Sequence, residues 1–393
     1  MRPAAVPSAV VVVAATRGAK SATRGDLDPS AALIAAALAL PGILPTQAQA
    51  QAAPEQGIFA LRYYDYRDWQ PGADRMSVRN PSLYALVPVS AALTVEGTLL
   101  HDTMSGASPL YHDTLSGASG LGVTDYRTAA DVKVTRYLDG QSIALGAAYS
   151  SERDYQSRAA SIEWRLWSDD RNRTYALGFA AAHDRIDSTN NVARGQRRET
   201  YDYLAGITQV LSATAVVEST VTWSDGRGYY SDPYKLLDAR PAHRRILAWL
   251  TRYNQYVPAV DGTARIAYRY LHDSFGDRSQ MLEASWVQPL PAGFTATPGV
   301  RYLTQDAASF YRDPPFPQGS VPGSLYTADT RLCAFGAITA GVRLAKTFGA
   351  DVTADVAVNF YRQRAGWHAG GSGSPGLAEF SARWIEVGFE KRF

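Results

Sequence analysis

The chain has 393 residues, 46% of them hydrophobic, and a formal net charge of +2 at neutral pH. A balance so close to zero disfavours a nucleic-acid partner, which requires clustered Lys and Arg, and it excludes an acidic tail. The single Cys333 excludes a disulfide framework and a Cys-based zinc site, and we expect it to be a buried thiol in an apolar strand. Residues 53–393 contain no apolar run of helix-spanning length, so no helical membrane anchor is expected there.

The N-terminal segment has the organisation of a secretory signal. Leu33–Leu44 is an apolar run of 12 residues that follows several basic residues and precedes small-residue cleavage sites such as Ala48-Gln49-Ala50. We therefore predict that residues 1–52 are a signal peptide with an upstream region, and that the true start codon lies downstream of Met1. The mature chain is then expected to begin near Ala53, outside the inner membrane.

From Gly57 onward the recurrent pattern is alternation of apolar and other residues over stretches of about ten. Phe59, Leu61 and Tyr63, for example, share one face of a strand, and Arg62 lies on the other. The pattern is typical of a membrane β-barrel, although a soluble β-sandwich that buries one face produces the same alternation. In a barrel the charged residues of these stretches face the lumen, and we predict this orientation for Arg62, Glu96, Glu163, Arg165, Arg265 and Arg269.

The connections between these stretches distinguish the two folds, because outer-membrane barrels have short turns at one end and longer loops at the other. Seven short turns are predicted, at residues 88–91, 138–141, 168–173, 211–214, 259–263, 290–293 and 348–350. Eight longer polar connections alternate with them, at residues 68–75, 101–124, 151–156, 183–198, 224–244, 272–278, 306–324 and 364–375. The sequence thus predicts an all-β fold, a transmembrane antiparallel barrel over residues 53–393 with about 16 strands (range 14–18).

The last strand carries a further signal of this class. Phe393 lies on the same alternating face as Ile385, Val387 and Phe389. This resembles the terminal signature by which bacterial outer-membrane proteins are delivered to the barrel insertion machinery, although Lys391 departs from it. Outer-membrane lipid and lipopolysaccharide are therefore expected partners, and the outer membrane is the expected location.

A direct repeat marks the predicted loop 101–124. His101–Ser108 returns as His112–Ser119, 11 residues later, and only Met104 and Leu115 differ between the copies. A unit this short cannot form a solenoid, so its repetition indicates chemistry or loop shape.

Several motifs together resemble an uncharacterised family of proteobacterial outer-membrane β-barrels, known only as a domain of unknown function. They are Asp74–Val78, Pro81–Tyr84, the doubled HDT-x-SGAS, Tyr149–Tyr155 and Asp169–Tyr175. The resemblance covers nearly the whole predicted mature chain. It implies a genetic neighbourhood that often includes a flavin transferase and a thioredoxin-like protein.

The D-x-x-S-G-A-S unit also resembles the acceptor sequence of proteins that receive FMN covalently from a periplasmic flavin transferase. The resemblance implies that the final hydroxyl, Ser108 or Ser119, forms a phosphodiester with the flavin, and that the small residues before it let the transferase close. The corresponding positions are Asp102, Ser105, Gly106, Ala107 and Ser108, and Asp113, Ser116, Gly117, Ala118 and Ser119. Such a barrel would exchange electrons with redox partners outside the inner membrane.

Other interpretations remain open at this point. Both copies fit small-residue turns with Asx-type bonds from Asp102 and Asp113, in a loop that constricts the lumen of a passive solute pore. His101 and His112 with Asp102, Asp113 and Asp125 are a weak candidate metal site. Basic loop clusters could contact lipopolysaccharide phosphates or simply be solvated: Arg194 with Arg197 and Arg198, and Arg244 with Arg245. Since no catalytic triad or carboxylate pair has a supporting motif, no enzymatic activity is expected.

Overall fold

The computed structural model describes residues 52–106, 123–235, 238–313 and 324–393, so the predicted signal segment up to residue 51 lies outside the described residues. Each strand of the described chain pairs antiparallel with its sequence neighbours, and β1 pairs with β16 to close a barrel of 16 strands. This confirms the predicted fold class and strand number. The strands are β1 (Ile58–Gln70), β2 (Ala73–Ser90), β3 (Leu93–Gly106), β4 (Val123–Leu138), β5 (Gln141–Ser151), β6 (Tyr155–Trp167), β7 (Arg173–Ile186), β8 (Gln196–Ser212), β9 (Ala215–Gly228), β10 (His243–Val257), β11 (Gly262–Asp273), β12 (Arg278–Leu290), β13 (Phe294–Gln305), β14 (Phe335–Phe348), β15 (Val352–Arg364) and β16 (Phe380–Arg392).

The barrel has two different ends. Seven short turns, from β2–β3 to β14–β15, lie at the end that also holds Gly57 and Phe393, and we call it the turn end. The other eight connections form the loop end. All fifteen connections lie at the predicted places in the chain. In the described residues no helix is long and apolar enough to cross a membrane.

The two faces of each strand differ as the alternation predicts. On β1, Leu61 and Tyr63 are 47% and 42% exposed on the outer face, whereas Arg62 between them is 8% exposed and faces the lumen. Residues opposite each other in paired strands face the same side of the sheet, so the register shows which residues of each strand face the lumen. Arg62, for example, lies opposite Ser82 on β2 and Gly388 on β16. By the same register the six charged residues predicted to face the lumen do so.

The predicted lengths of three connections at the loop end are wrong. Asp68–Arg75 was expected as a long loop, but β1 continues to Gln70 and β2 starts at Ala73, leaving a two-residue turn whose Gly72 has φ +81°. Asp68 and Arg75 are buried in the lumen, and Asp68 accepts the Met76 amide at 2.9 Å. Polar residues that face a lumen thus resemble loop residues in sequence. The β5–β6 and β11–β12 connections are short for the same reason, so short turns and long loops do not alternate strictly.

The last residue pairs with the start of β1 at the turn end of the barrel. Ile385, Val387 and Phe389 point outward as expected, and Lys391 is exposed as well. Gly57 and Phe393 exchange backbone hydrogen bonds of 2.8 and 3.1 Å, so the last residue extends the β1–β16 ladder.

Two packed regions occupy the lumen near the loop end. Along β13–β16 and β1 lies an aromatic cluster that includes Tyr66, Phe335, Tyr361, Phe380 and Trp384, with Phe275, Phe310 and Leu332 folded in from connecting segments. On the opposite side β4–β8 present an alanine wall of Ala129, Ala148, Ala159, Ala180 and Ala182. Cys333 is fully buried beside the aromatic cluster, as predicted, but it precedes β14 and is not in a strand.

Candidate functional site at the loop end

The first copy of the doubled motif belongs largely to a strand. β3 continues to Gly106, where Ser105 pairs with Ser77 on β2 and Thr124 on β4. The predicted loop 101–124 therefore begins only after Gly106 and ends before Val123. The rest of the repeat lies outside the described residues: Ala107, Ser108, His112, Asp113, Ser116, Gly117, Ala118 and Ser119.

Asp102 and His101 point to opposite faces of β3. The Asp102 carboxylate faces the lumen, where it accepts hydrogen bonds from the Asn80 amide and, at 2.6 Å, from Arg127 Nε. The expected Asx-type turn at Asp102 is therefore wrong, because the residue is in a strand and its side chain binds neighbouring strands. The His101 ring lies outside, stacked on Tyr126 at 6.2 Å.

The minor candidate metal site does not assemble among the described residues, which do not include His112 and Asp113. Since His101 faces outward and both Asp102 and Asp125 face inward, the imidazole cannot join these carboxylates around one ion. Asp125 instead approaches Glu152 and Asp154 of the β5–β6 connection, and one oxygen from each of the three lies within 4.8 Å of the others. We call these three residues the carboxylate cluster. The sequence contained a signal for it, because Glu152 and Asp154 stand two apart in a connection next to the strand that carries Asp125.

The surroundings of the carboxylate cluster are crowded and charged. Arg127 Nε lies 3.9 Å from Glu152 Oε1, and the Tyr234 hydroxyl donates a hydrogen bond to Asp154. Burial raises the pKa of Glu152 to about 7, because the favourable charge of Arg127 does not offset burial together with the nearby carboxylates. The cluster therefore concentrates oxygen ligands and negative charge at the loop end of the lumen.

Two long connections fold into the lumen and bind each other through an ionic cluster. It consists of Asp232, Lys235, Asp238 and Arg240 from the β9–β10 connection, and Asp329 and Arg331 from the β13–β14 connection. Asp329 accepts from Lys235 at 3.0 Å, from Arg240 at 2.8 Å and from Arg331 Nε at 2.8 Å. The Asp329 and Arg240 side chains are 0% and 1% exposed. Together with the aromatic cluster, this network places buried side chains of both connections inside the loop end of the lumen.

Charge pairing changes the interpretation of the basic clusters. Arg198 and Arg244 were expected in loops, but both lie in strands with their side chains in the lumen. Arg198 donates to Asp184 at 2.9 Å and Arg244 to Asp273 at 2.8 Å. These two arginines are therefore not available to lipopolysaccharide. Arg185 and Arg194 remain exposed at the loop end, where Arg194 Nε donates to Asn191 at 3.0 Å.

The turn-end half of the lumen is lined by arginines and carboxylates. Arg62 donates to both Asp355 oxygens at 3.1 Å, and Arg343 lies 3.2 Å from Glu386. Arg252 and Glu283 are still about one-third exposed along their side chains. Six of the lumen-facing arginines lie on β1, β10, β11, β13 and β14, namely Arg62, Arg252, Arg265, Arg269, Arg301 and Arg343.

Residues 113–384 match the protein family of unknown function DUF3570. The chain belongs to this family. No curated protein matches the sequence. A bacterial polysaccharide outer membrane secretin is similar in structure, with 7% identity and a TM-score of 0.48 over 85% of this chain and 98% of that one. CdiB from Acinetobacter baumannii is also similar, with 10% identity and a TM-score of 0.47 over 85% of this chain and 60% of that one. Pseudomonas aeruginosa OccK2 in complex with glucuronate has 12% identity and a TM-score of 0.44 over 87% of this chain and 98% of that one.

Proposed function

We propose that this DUF3570 protein is a bacterial outer-membrane barrel that carries covalently attached FMN on the connection between β3 and β4, for electron transfer outside the inner membrane. The observation that carries the proposal is the doubled D-x-x-S-G-A-S unit, with Ser108 and Ser119 as its two terminal hydroxyls. Bound FMN would supply reversible one- and two-electron chemistry, whereas the protein supplies position and electrostatics.

The described part of the first copy bears on which serine a transferase could reach. Asp102 is held by Asn80 and Arg127, and Ser105 is paired on both strand edges. In the folded barrel the lead-in to Ser108 is therefore fixed in the sheet, whereas the second copy begins at His112, beyond the end of β3. We infer that Ser119 is the acceptor that a folded barrel offers best.

Membrane topology adds a requirement on timing. If the turn end faces the periplasm, as in other barrels of this kind, the β3–β4 connection lies outside and the transferase acts before insertion. The unfolded chain would present both copies equally. Attachment to the unfolded chain thus predicts up to two FMN groups, and attachment to the folded barrel predicts one.

The buried side chains at the loop end favour a flavin-bearing barrel rather than an open channel. Asp329, Phe275 and Trp384 are each at most 3% exposed although they lie inside a 16-stranded barrel. Connections that pack a hydrophobic and ionic core into the lumen leave less room for solute, and they provide a rigid support for a bound group.

A passive solute pore is the second candidate, and the arginines and carboxylates along the turn-end half of the lumen favour it. Side chains such as Arg252 and Glu283 remain partly exposed there. Lumen charges of this kind tune the selectivity of barrel pores. Conductance across a planar bilayer by the purified protein would support this candidate, and an electrically silent barrel would count against it.

The decisive experiment is intact mass measurement after co-expression with a flavin transferase. We expect a mass increase of one or two FMN units and a denatured band that fluoresces under ultraviolet light. Where two units are attached, Ser108→Ala and Ser119→Ala should each remove one; where one is attached, only Ser119→Ala should remove it. Ser105→Ala is the matched control that keeps both acceptor hydroxyls. Wild-type protein made beside an active transferase but without flavin would overturn the proposal.

A second arm separates the two acceptors. Transferase added to the purified, folded barrel should modify Ser119 and leave Ser108 unmodified, because the residues that precede Ser108 are fixed in β3. Equal modification of both serines in the folded barrel would contradict the inferred preference for Ser119.

A further inference from the structure

We propose that an apolar groove on the outer wall of the barrel, together with the arginines beside it, binds one lipopolysaccharide molecule through an acyl chain and a phosphate group. The outer groove crosses β16, β1, β2 and β3 and encloses about 530 Å³, a volume typical of ligand pockets. Its walls are apolar side chains between 39% and 50% exposed: Leu61, Tyr63, Leu99, Val387 and Phe389. The proposal rests on the proposed outer-membrane location but not on flavin attachment.

A proline in the middle of a strand contributes to the floor of the outer groove. Pro81 lines the groove and has no amide hydrogen to donate to a neighbouring strand. The β2–β3 pairing stops where Arg79 lies opposite Thr103, and it resumes where Ser82 lies opposite Leu100. The groove therefore lies where the sequence interrupts the ladder between two strands.

Arginines lie on the loop-end side of the outer groove. Successive outward positions on a strand are about 7 Å apart, and Arg79 is the next outward position after Pro81. Farther toward the loop end, Arg67 and Arg383 lie directly opposite each other on β1 and β16, and both are exposed. Like charges in this position destabilise a strand pair. An anion bound between the two guanidinium groups would remove that repulsion.

Protein carboxylates balance only part of this charge. Asp65 lies 3.4 Å from Arg67 and 3.6 Å from Arg79, whose side chains are still 51% and 59% exposed. With Arg383, these outward-facing residues bring together three positive charges and one negative, a net charge of +2. Guanidinium groups bind phosphate oxygens through paired, charge-assisted hydrogen bonds. The group that matches this surface is a phosphate with two negative charges.

Lipopolysaccharide combines such a phosphate with acyl chains. Its lipid A part carries phosphate monoesters, each with a charge of about −1.5 to −2 at neutral pH, whereas the phosphodiester of phosphatidylglycerol has a single charge. The long loops of outer-membrane barrels face outward, so the loop end of this barrel would lie at the lipopolysaccharide leaflet. A second copy of the chain fits less well, because a two-fold interface would bring the same arginines of both copies together.

The test measures binding of purified lipid A to the full-length folded barrel in detergent, by native mass spectrometry. We expect one lipid A per chain. It should bind about tenfold more tightly than dephosphorylated lipid A or phosphatidylglycerol, because each of these lacks charge-assisted bonds to the arginines. Equal binding of either comparison lipid would overturn the proposal.

Two kinds of variant test the two parts of the site. The double variant Arg67→Gln with Arg383→Gln should bind lipid A about tenfold more weakly. Arg158→Gln, which changes an exposed arginine on the outer face of β6, is its matched control. Leu83→Trp places a large ring in the groove and should prevent binding. Leu177→Trp is the control for this substitution, since Leu177 is 50% exposed on the outer face of β7.

Heat-modifiable migration checks that each variant folds, and the comparison of lipids on the wild-type barrel does not depend on any variant. The proposal is overturned if the double arginine variant binds lipid A as Arg158→Gln does, or if Leu83→Trp binds it as Leu177→Trp does. A wild-type dimer in detergent that Leu83→Trp converts to a monomer would also overturn it, since a second copy would then occupy the groove. Purified protein is used throughout, so failure here is distinct from failure of the outer-membrane location, which cell fractionation tests.

Discussion

At the scale of single residues, the ionic cluster joins the two inward-folded connections through buried charges. Asp329 is fully buried and contacts Lys235, Arg240 and Arg331. Removing one partner from such a group leaves uncompensated charge in a low-dielectric site, which costs far more than the net contribution of the intact pair.

Arg240→Ala should therefore weaken the attachment of the two inward-folded connections. We expect a loss of about 3–5 kcal/mol in the local free energy that holds them, because Asp238 and Asp329 lose a buried partner. Limited proteolysis between β13 and β14 should become much faster. The control is Arg362→Ala, because Arg362 pairs with Glu379 at a site where both side chains are about half exposed. In this variant, cleavage between β13 and β14 should stay at the wild-type rate.

Acid should release the same connections. Burial alone would raise the pKa of Asp329, but Arg331, Lys235 and Arg240 lower it well below its usual range, and Lys235 and Arg331 likewise lower the pKa of Asp232. When the pKa of a carboxyl group is lower in the folded state than in the unfolded state, the group stabilises the folded state. This contribution is complete at pH values above the unfolded-state pKa of about 4, and it is lost as the pH falls through the folded-state pKa.

Hydrogen exchange of the segments around residues 229–235 and 324–334 should thus be slow and nearly constant from pH 7 to about 5, after correction for the intrinsic exchange rate. Protection should fall only in stronger acid. Loss of protection already near pH 6 would show that other groups control the attachment of these segments.

At the scale of elements, close approach explains one glycine on the outer face of β14. A Cβ built on Gly336 would lie 1.9 Å from the Trp367 carbonyl oxygen, in the single 3₁₀ turn Ala365–Trp367 that packs over the strand. The same carbonyl accepts the Tyr302 hydroxyl at 2.6 Å. Gly336 thus lets the β15–β16 connection lie against the barrel wall.

Gly336→Ala should displace this turn. Because backbone opposes the new methyl group, we expect a cost of about 1–3 kcal/mol and faster hydrogen exchange in residues 365–370, while the β14 ladder persists. Gly366→Ala adds the same methyl group where nothing lies within 4 Å, so it should leave exchange unchanged. Equal effects in both variants would mean that lost glycine flexibility, and not the contact, is responsible.

At the scale of the whole molecule, the outer band of Leu61, Leu99, Leu177, Val300 and Phe360 is between 47% and 57% exposed and needs lipid or detergent to cover it. Expressed with its predicted signal peptide in a diderm bacterium, the protein should fractionate with outer membranes. It should also migrate differently on gels before and after heating, because a closed barrel resists detergent at room temperature. Recovery as a soluble periplasmic protein would contradict the proposed location.

Local patterning determined the architecture from the sequence alone. A strand that separates lipid from lumen needs an apolar residue at every second position, and each reversal needs a polar or flexible turn. Both requirements are local, so the strand number, the position of all fifteen connections and the orientation of residues such as Arg62 and Glu163 could be predicted.

Only the tertiary structure decided which polar residues belong to loops and which to the lumen. The sequence predicts loop positions for Asp68, Arg198 and Arg244, since a wet lumen and bulk solvent favour the same residue types. Contacts across strands, such as the approach of Asp125 to Glu152 and Asp154 or of Asp329 to Arg240, depend on strand register and on the inward folding of distant connections. Those are set by packing between segments far apart in the chain. The spacing of Glu152 and Asp154 in the sequence marks a pair of carboxylates but does not show that Asp125 approaches them.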